Sequence, residues 1–459
     1  MKVSSIFRII PAVCIIFYIF QFLFFWMFQT TDSIFYYALA EFFKTGKYIV
    51  PFPYFYTRSS TMEPPLYSVL IYLALYFPRP DIILHFFHIA AVLASGAILS
   101  WVLLKTTKSR LAASAGWLFT LLPANIIYAS NIMSEIFTVA FVSLYLLLNY
   151  KIIIEKKEKL YFQLLVLSAI GALMRYNLLA FWGIFQSFFL FKKNKKIMDF
   201  FGFSLSILII VSWIFLNHNW NGSWGFSNGQ GKNLFNRVVW EERLMPPRDN
   251  RDYKEIVARL GRRDYYSREA WWKIEPYVLN KEFDETAENS LLQRIAISAI
   301  LNNPVKYLVK SIGSYFVIHG NGIPFHDQVW MSHGRDKDVC QPLGSIETCR
   351  PIIENGKAKK IFAKIVVWGA FYHLRFPAIL NLFLLLPALI WAVFVKNRFY
   401  RISAFMYFAG TILPVFVVHT DVRYIYSVYP IKLVLIVLFL NFIWKRFIKL
   451  SRIHKYSYD

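Results

Sequence analysis

The sequence predicts an all-α polytopic membrane protein, on three observations. Hydrophobic residues make up 57% of the 459 residues, against about 45–50% in a soluble domain. The excess is gathered in apolar runs, many of them near the roughly 20 residues that a membrane-crossing helix needs. Between the runs lie short clusters of basic residues: Lys105, Lys108 and Arg110; Lys151, Lys156, Lys157 and Lys159; Lys192, Lys193, Lys195 and Lys196; Lys396, Arg398 and Arg401; and the tail from Lys445 to Lys455. A formal charge of +24 could point to nucleic acid. Basic residues confined to particular short loops are instead the pattern of cytoplasmic loops, so the expected partner is the lipid bilayer and not nucleic acid.

The elements follow in order. Ile9–Phe28 comes after Lys2 and Arg8. It is long for the core of a signal peptide and no small-residue cleavage site follows, so it reads as a first span entering from the cytoplasm. Leu66–Phe77 has only 12 residues, too few to cross, and reads as an interfacial or re-entrant helix. Ile82–Leu104 runs inward to the Lys105 cluster, Leu111–Tyr128 runs outward and Ile136–Ile154 returns. Between Lys159 and Lys192 a single apolar stretch is interrupted by Arg175-Tyr176-Asn177. Both flanks are basic, so two short helices with a polar tip are expected. Ile197–Leu216 then runs outward.

The main polar segment follows. It mixes both charge signs (Glu241, Glu242, Arg243, Asp249, Arg251, Asp252) and so lacks the cationic bias of the inner loops. Within it Val305–Val317 carries Lys306 and Lys310 on an apolar helix, expected to lie in the interface or to pair with Ile361–Phe371 as a hairpin. The last spans fall near 373–395, 402–418 and 424–444. The expected total is roughly ten to twelve transmembrane helices. They divide into an N-terminal transmembrane module (1–217), an extracytoplasmic loop domain (218–372) and C-terminal helices with a basic tail (373–459). Cys14 lies in the first run, and Cys340 and Cys349 lie in the outer segment, where a disulfide or two free thiols are compatible with the spacing.

Residues able to do chemistry gather in the outer loops. Asp32 opens a predicted helix that stops at Gly46; it suits an N-cap, and equally a carboxylate base just outside the bilayer. Glu63 precedes Pro64-Pro65 at the entrance of the next helix, where an acid balances the macrodipole or ligates a metal or substrate. Glu135 closes the second outer loop, Ala129–Glu135; alone it suits a helix start, but three acids in two outer loops beside the membrane is a rarer arrangement. Arg175 interrupts an apolar stretch, where an ionisable group usually faces a polar cavity or partner, or snorkels from a short helix end. His419 and Arg423 are four residues apart, a spacing that shares a helical face. Arginine suits bidentate phosphate binding, and also an aromatic-belt anchor. Trp220, Trp224, Trp271 and Trp272 are interface anchors or sugar-stacking platforms. No phosphate-binding glycine loop is present. The Asp336-Lys337-Asp338 triplet falls on the outer side, and His326 and His333 are too isolated to make a metal site.

These features share an order with a known family. An Asp after the first span, Pro-Pro-Leu-Tyr closing that loop, an acid in the second outer loop and a late His-x-x-x-Arg-Tyr followed by proline resemble the GT-C superfamily of membrane glycosyltransferases. The likeness is to bacterial protein O-mannosyltransferases and lipid A aminoarabinose transferases. It implies a GT-C-like fold and sugar transfer from a polyprenyl-phosphate donor on the extracytoplasmic face of a bacterial inner membrane. By position, Asp32 matches the catalytic carboxylate, Glu63 an acid that binds a divalent metal in some members, and Glu135 the second-loop acid, which is counted with Asp32 as catalytic. Arg423 with Tyr424 matches the motif near the donor phosphate. His419 and Arg175 are assigned to that phosphate on their charge alone. The family often carries an acidic pair where this chain has Asp32-Ser33.

The expected reaction is a single inverting displacement by an acceptor hydroxyl, with Asp32 as base and cations stabilising the departing phosphate. The acceptor, whether lipid, glycan or protein, is open. The rival readings are a flippase or transporter of lipid-linked glycans, which needs polar residues along a midplane path, and a ligase using an oligosaccharide-lipid donor.

Overall fold

A computed structural model describes residues 3–24, 27, 31–47, 63–192, 194–227, 229–259, 285–320, 381–417 and 423–455. Among these the secondary structure is helical. The helices are α1 (Val3–Phe24), α2 (Thr31–Thr45), α3 (Pro65–Ala74), α4 (Pro80–Thr107), α5 (Arg110–Thr120), α6 (Pro123–Ser130), α7 (Glu135–Ile153), α8 (Tyr161–Met174), α9 (Leu179–Phe191), α10 (Ile197–Asn221), α11 (Gln230–Phe235), α12 (Arg251–Arg259), α13 (Glu285–Asn302), α14 (Pro304–Gly320), α15 (Leu386–Phe394), α16 (Arg398–Val417), α17 (Arg423–Tyr426) and α18 (Tyr429–Lys455). The protein is an all-α, polytopic membrane protein. Among the described residues four helices (α4, α7, α10 and α16) are long and apolar enough to cross a bilayer, and the bent pair α5–α6 makes up to five. Shorter apolar helices at Ile9–Leu23, Pro65–Ala74, Tyr176–Phe191 and Phe383–Phe394 accompany them. The expected hairpin partner Ile361–Phe371, Cys340 and Cys349 lie outside the described residues.

Outward-facing apolar side chains mark the lipid-facing surface. On α10, Ile197, Phe201, Leu208, Val211 and Phe215 are all more than half exposed, which only a hydrocarbon surrounding makes favourable. Inside, one continuous core joins α1, α4–α9, α15, α16 and α18. The α4–α5 hairpin closes through small residues. A Cβ on Gly116 would stand 2.2 Å from the Ser100 backbone nitrogen, and one on Gly96 would stand 2.3 Å from Thr120 Cγ2.

The basic clusters lie at one end of the bundle. Trp101 on α4 receives Lys105 at 5.7 Å and Lys151, from the end of α7, at 5.4 Å. Lys196 pairs with Glu158 at 3.0 Å, which joins the next two basic loops. Tyr150 packs its ring on Phe399, which brings the Lys396–Arg401 turn to the same end. Because α4 and α7 both finish here, their first residues, Pro80 and Glu135, lie at the opposite end.

Breaks in the helices obey the rule that lipid offers no hydrogen bonds. Between α5 and α6 the chain bends by 42° next to Pro123, which has no N–H to continue the ladder. Side chains donate to carbonyls around the break: Tyr18 to that of Thr120, Asn125 to that of Phe119 and Gln21 to that of Ile126. The predicted run Leu111–Tyr128 is therefore two helices, since proline and a leucine pair sit at its middle. The apolar stretch around Arg175 also breaks as expected. Arg175 is extended (φ −157°, ψ 130°) between α8 and a short 3-10 turn, Tyr176–Leu178.

A smaller core, built by α11, the π-turn Asn236–Glu241, α12, α13 and the start of α14, forms a loop unit within the predicted outer segment. α14 leaves Val305, Leu308, Val309 and Ile312 exposed along one stripe, as an interfacial helix would. Inside the unit Lys232 and Glu288 are buried 3.5 Å apart. Burial pushes the Glu288 carboxyl up to about 7, against the weaker opposing pull of Lys232.

Two outcomes follow. Gly116→Ala pushes a methyl group into the α4 backbone, so the detergent-solubilised variant should lose about 1–3 kcal/mol of stability; an unchanged melting midpoint would show that the two helices are not in this contact. For Glu288, an unfolded chain releases the proton near 4.5 and the folded one near 7. Between these values the folded state holds the extra proton, and stability falls as pH rises. The melting midpoint should therefore drop across that window in the wild type and drop less in Glu288→Gln; parallel profiles would contradict the buried carboxyl.

Candidate active site

The elements that carry the predicted residues come from four stretches of chain, the two outer loops, the break at Arg175 and the late motif, which dock together at the end opposite the basic clusters. The first outer loop contributes α2, whose helix includes Asp32 in its first turn rather than as a cap, and stops at Gly46 with φ +71°. An acid there still faces the positive helix end. Only the backbone of Asp32 is described; its place is one turn before Tyr36. Ser33 is fully buried and donates to the Ile132 carbonyl at 2.7 Å, while Tyr36 shares a hydrogen bond with Ser134 at 2.8 Å. These two contacts fasten α2 to the second outer loop. An ionised acid at position 33 would have no proton to donate to that carbonyl.

At the second loop, Glu135 begins α7 and is 1% exposed. It meets Arg175, with Nη1 to Oε1 at 2.8 Å and side-chain exposures of 9% and 1%. The same nitrogen donates to Ser134 Oγ at 3.1 Å. Glu135 and Arg175 were separate candidates in the sequence and are one ion pair in the structure. Losing either partner leaves a buried charge uncompensated. Glu63 stands beside this pair: Tyr176 donates to its backbone carbonyl at 3.2 Å, and Glu63, Glu135 and Arg175 all act electrostatically on the Tyr36 hydroxyl. Pro64 and Pro65 fix the entrance of α3, and so the place of Glu63.

The late motif forms the fourth wall. Arg423 and Tyr424 open α17, for which only the backbone of these two is described, and His419 lies outside the described residues. The predicted shared face of His419 and Arg423 is therefore not tested by α17. Tyr426 donates to Asn125 Oδ1 and packs on the Tyr128 ring at 4.6 Å. Asn177 donates to Ser427 at 3.0 Å. Asn177 is two residues from Arg175 and Ser427 four from Arg423, so the segments carrying both cations are joined.

Several contributors had little sequence signal. His88 on α4 bonds Tyr67 at 2.8 Å and the Tyr128 carbonyl at 3.2 Å, tying α3 to α4 and α6 beneath Tyr36. A histidine inside an apolar span was the cue. Ser134 is the hub between Tyr36 and Arg175, and its only cue was adjacency to Glu135. Of the tryptophans, Trp220 packs against Phe42 and Phe43 of α2, and Trp224 is 69% exposed and stacks on His218 at 3.8 Å. Trp271, Trp272, Asp336, Asp338, His326 and His333 lie outside the described residues. Among the described residues no group of three or more His, Cys, Asp or Glu side chains is placed to hold a metal ion.

Removing one member of the ion pair should cost about 3–5 kcal/mol. Glu135→Gln and Arg175→Gln are each expected to lower the melting midpoint sharply, and the double variant to recover part of the loss. Additive losses in this double-mutant cycle would show that the two charges do not meet.

No family model matches the chain, and no curated protein matches it in sequence. Among solved structures it is similar to ArnT from Cupriavidus metallidurans bound to undecaprenyl phosphate, at 10% identity and a TM-score of 0.39, over 95% of this chain and 77% of that one. It is likewise similar to the apo state of the same protein, at 10% identity and a TM-score of 0.37, over the same shares.

Proposed function

We propose that the protein is a glycosyltransferase that moves a sugar from a polyprenyl-phosphate donor to an acceptor hydroxyl at the extracytoplasmic face of a bacterial inner membrane. The observation that carries this reading is the docking of the elements bearing Asp32, Glu63, the Glu135–Arg175 pair and Arg423 at one end of an apolar bundle, with the basic clusters at the other. A lipid-phosphate sugar is already activated, so no nucleotide site is needed. Its phosphate requires cations at the membrane surface, and a hydroxyl acceptor requires a base.

In the proposed reaction Asp32 takes the acceptor O–H proton as the oxygen forms a bond to the anomeric carbon. The bond from that carbon to the phosphate oxygen breaks, and its electron pair leaves with the polyprenyl phosphate. One displacement inverts the anomeric centre. Arg423, with Tyr424 and His419, binds the departing phosphate, and Arg175 adds its field to the developing charge. The 2.8 Å pair of Glu135 with the Arg175 guanidinium supports assigning Glu135 to positioning that cation. Glu63 is the carboxylate assigned to a divalent ion, which when bound would help to neutralise the departing phosphate.

The test is a panel of radiolabelled polyprenyl-phosphate sugars offered to purified protein in detergent with an acceptor extract. Wild type should discharge one donor, and Asp32→Asn should lower that rate by about 100-fold or more while remaining folded. Equal turnover would remove Asp32 from its role. Turnover only with an oligosaccharide-lipid donor would favour the ligase reading, and discharge of none would refute the transferase.

A further inference from the structure

The outer end of α16 is held by the loop unit. The last carbonyls of a helix have no partner in their own helix and carry its negative pole. Here Arg237, from the π-turn of the loop unit, donates through Nε to the Val415 carbonyl at 2.6 Å. Tyr307 on α14 donates to the Phe416 carbonyl and sets its ring against Phe416 at 6.2 Å, almost edge-on. Arg237 has no exposed surface. Its charge is balanced by Glu242, to which it donates, and by Glu241 at 3.4 Å. Glu242 accepts from Ser314 at 2.7 Å, and its own carbonyl accepts from Lys310. Arg237 also reaches Ser311 at 3.4 Å. A guanidinium buried this completely, with carboxylate on one side and a helix terminus on the other, is a built clamp and not a surface contact.

The chain leaving the clamped end reaches Arg423 after residues 418–422. We propose that Arg237 and Tyr307 are positioning residues: by fixing where α16 ends, they set the place of Arg423 and make binding of a lipid-linked phosphate depend on the loop unit. This rests on the assignment of Arg423 to the donor phosphate. Neither Arg237 nor Tyr307 touches the reacting atoms; they act through the end of α16.

Tyr307→Phe removes a single hydroxyl and keeps the ring. Arg237→Lys keeps the charge and loses the Nε contact. Both are compared with wild type in undecaprenyl phosphate affinity, in donor KM and kcat, and in hydrogen exchange of the backbone amides at 416–423. Losing one such hydrogen bond should weaken affinity and raise donor KM by about three- to tenfold with kcat nearly unchanged, and speed exchange in that segment. Wild-type values of affinity, KM and exchange in both variants would overturn the proposal. If wild type itself binds no undecaprenyl phosphate, the donor assignment fails. In that case, faster exchange at 416–423 in the variants would still support the positioning role, and unchanged exchange would refute both.

Discussion

A helix that ends or bends inside a bilayer leaves carbonyl groups that lipid cannot satisfy, and the rest of this structure depends on how those groups are met. At the α5–α6 bend Tyr18, Gln21 and Asn125 supply the donors. At the end of α16 the donors are Arg237 and Tyr307. Tyr18, Gln21, Arg237 and Tyr307 each come from a distant part of the chain, and so fix the arrangement of the helices as well as their hydrogen bonds. The candidate site lies among these repairs. Asn125, which patches the bend, also receives Tyr426 from α17, and the break at Arg175 frees the segment that holds Ser427 through Asn177.

Electrostatics sort the two ends of the bundle. The lysines and arginines at one end are spread over aromatic rings and surface acids, where solvent screens them and pairs are worth little. At the other end Arg175 and Glu135 are withdrawn from solvent, where a charge persists only with its partner. In the proposed reaction the donor phosphate would meet a preset cation beside such a pair, which costs less reorganisation than recruiting a mobile lysine.

Much of this was legible in the sequence. Apolar runs, basic loops and the 12-residue segment Leu66–Phe77 anticipated α4, α7, α10, the short α3 and the break at Arg175, because span length and charge bias are one-dimensional signals. The outer acids were legible as candidates, since a carboxylate beside an apolar run is rare. Their pairing was not. That Glu135 would meet Arg175, and that Ser33 would dock on Ile132, depends on tertiary packing across about 40 and 100 residues of chain, to which no local propensity responds. Arg237 was hidden for a different reason: in a stretch of mixed charge nothing distinguishes an arginine that will be fully buried from one that will face water. The bend at Pro123 was missed because hydrophobicity continues across it.

The most direct test of the account is to locate the donor. A polyprenyl-phosphate sugar carrying a photoreactive group near its phosphate would be cross-linked to the purified protein and the labelled peptides mapped. Labelling confined to α2, the Ser134–Glu135 turn, the Arg175–Leu178 segment and α17 is the predicted result. Labelling at the basic end of the bundle, or scattered along the lipid-facing surface of α10, would contradict it.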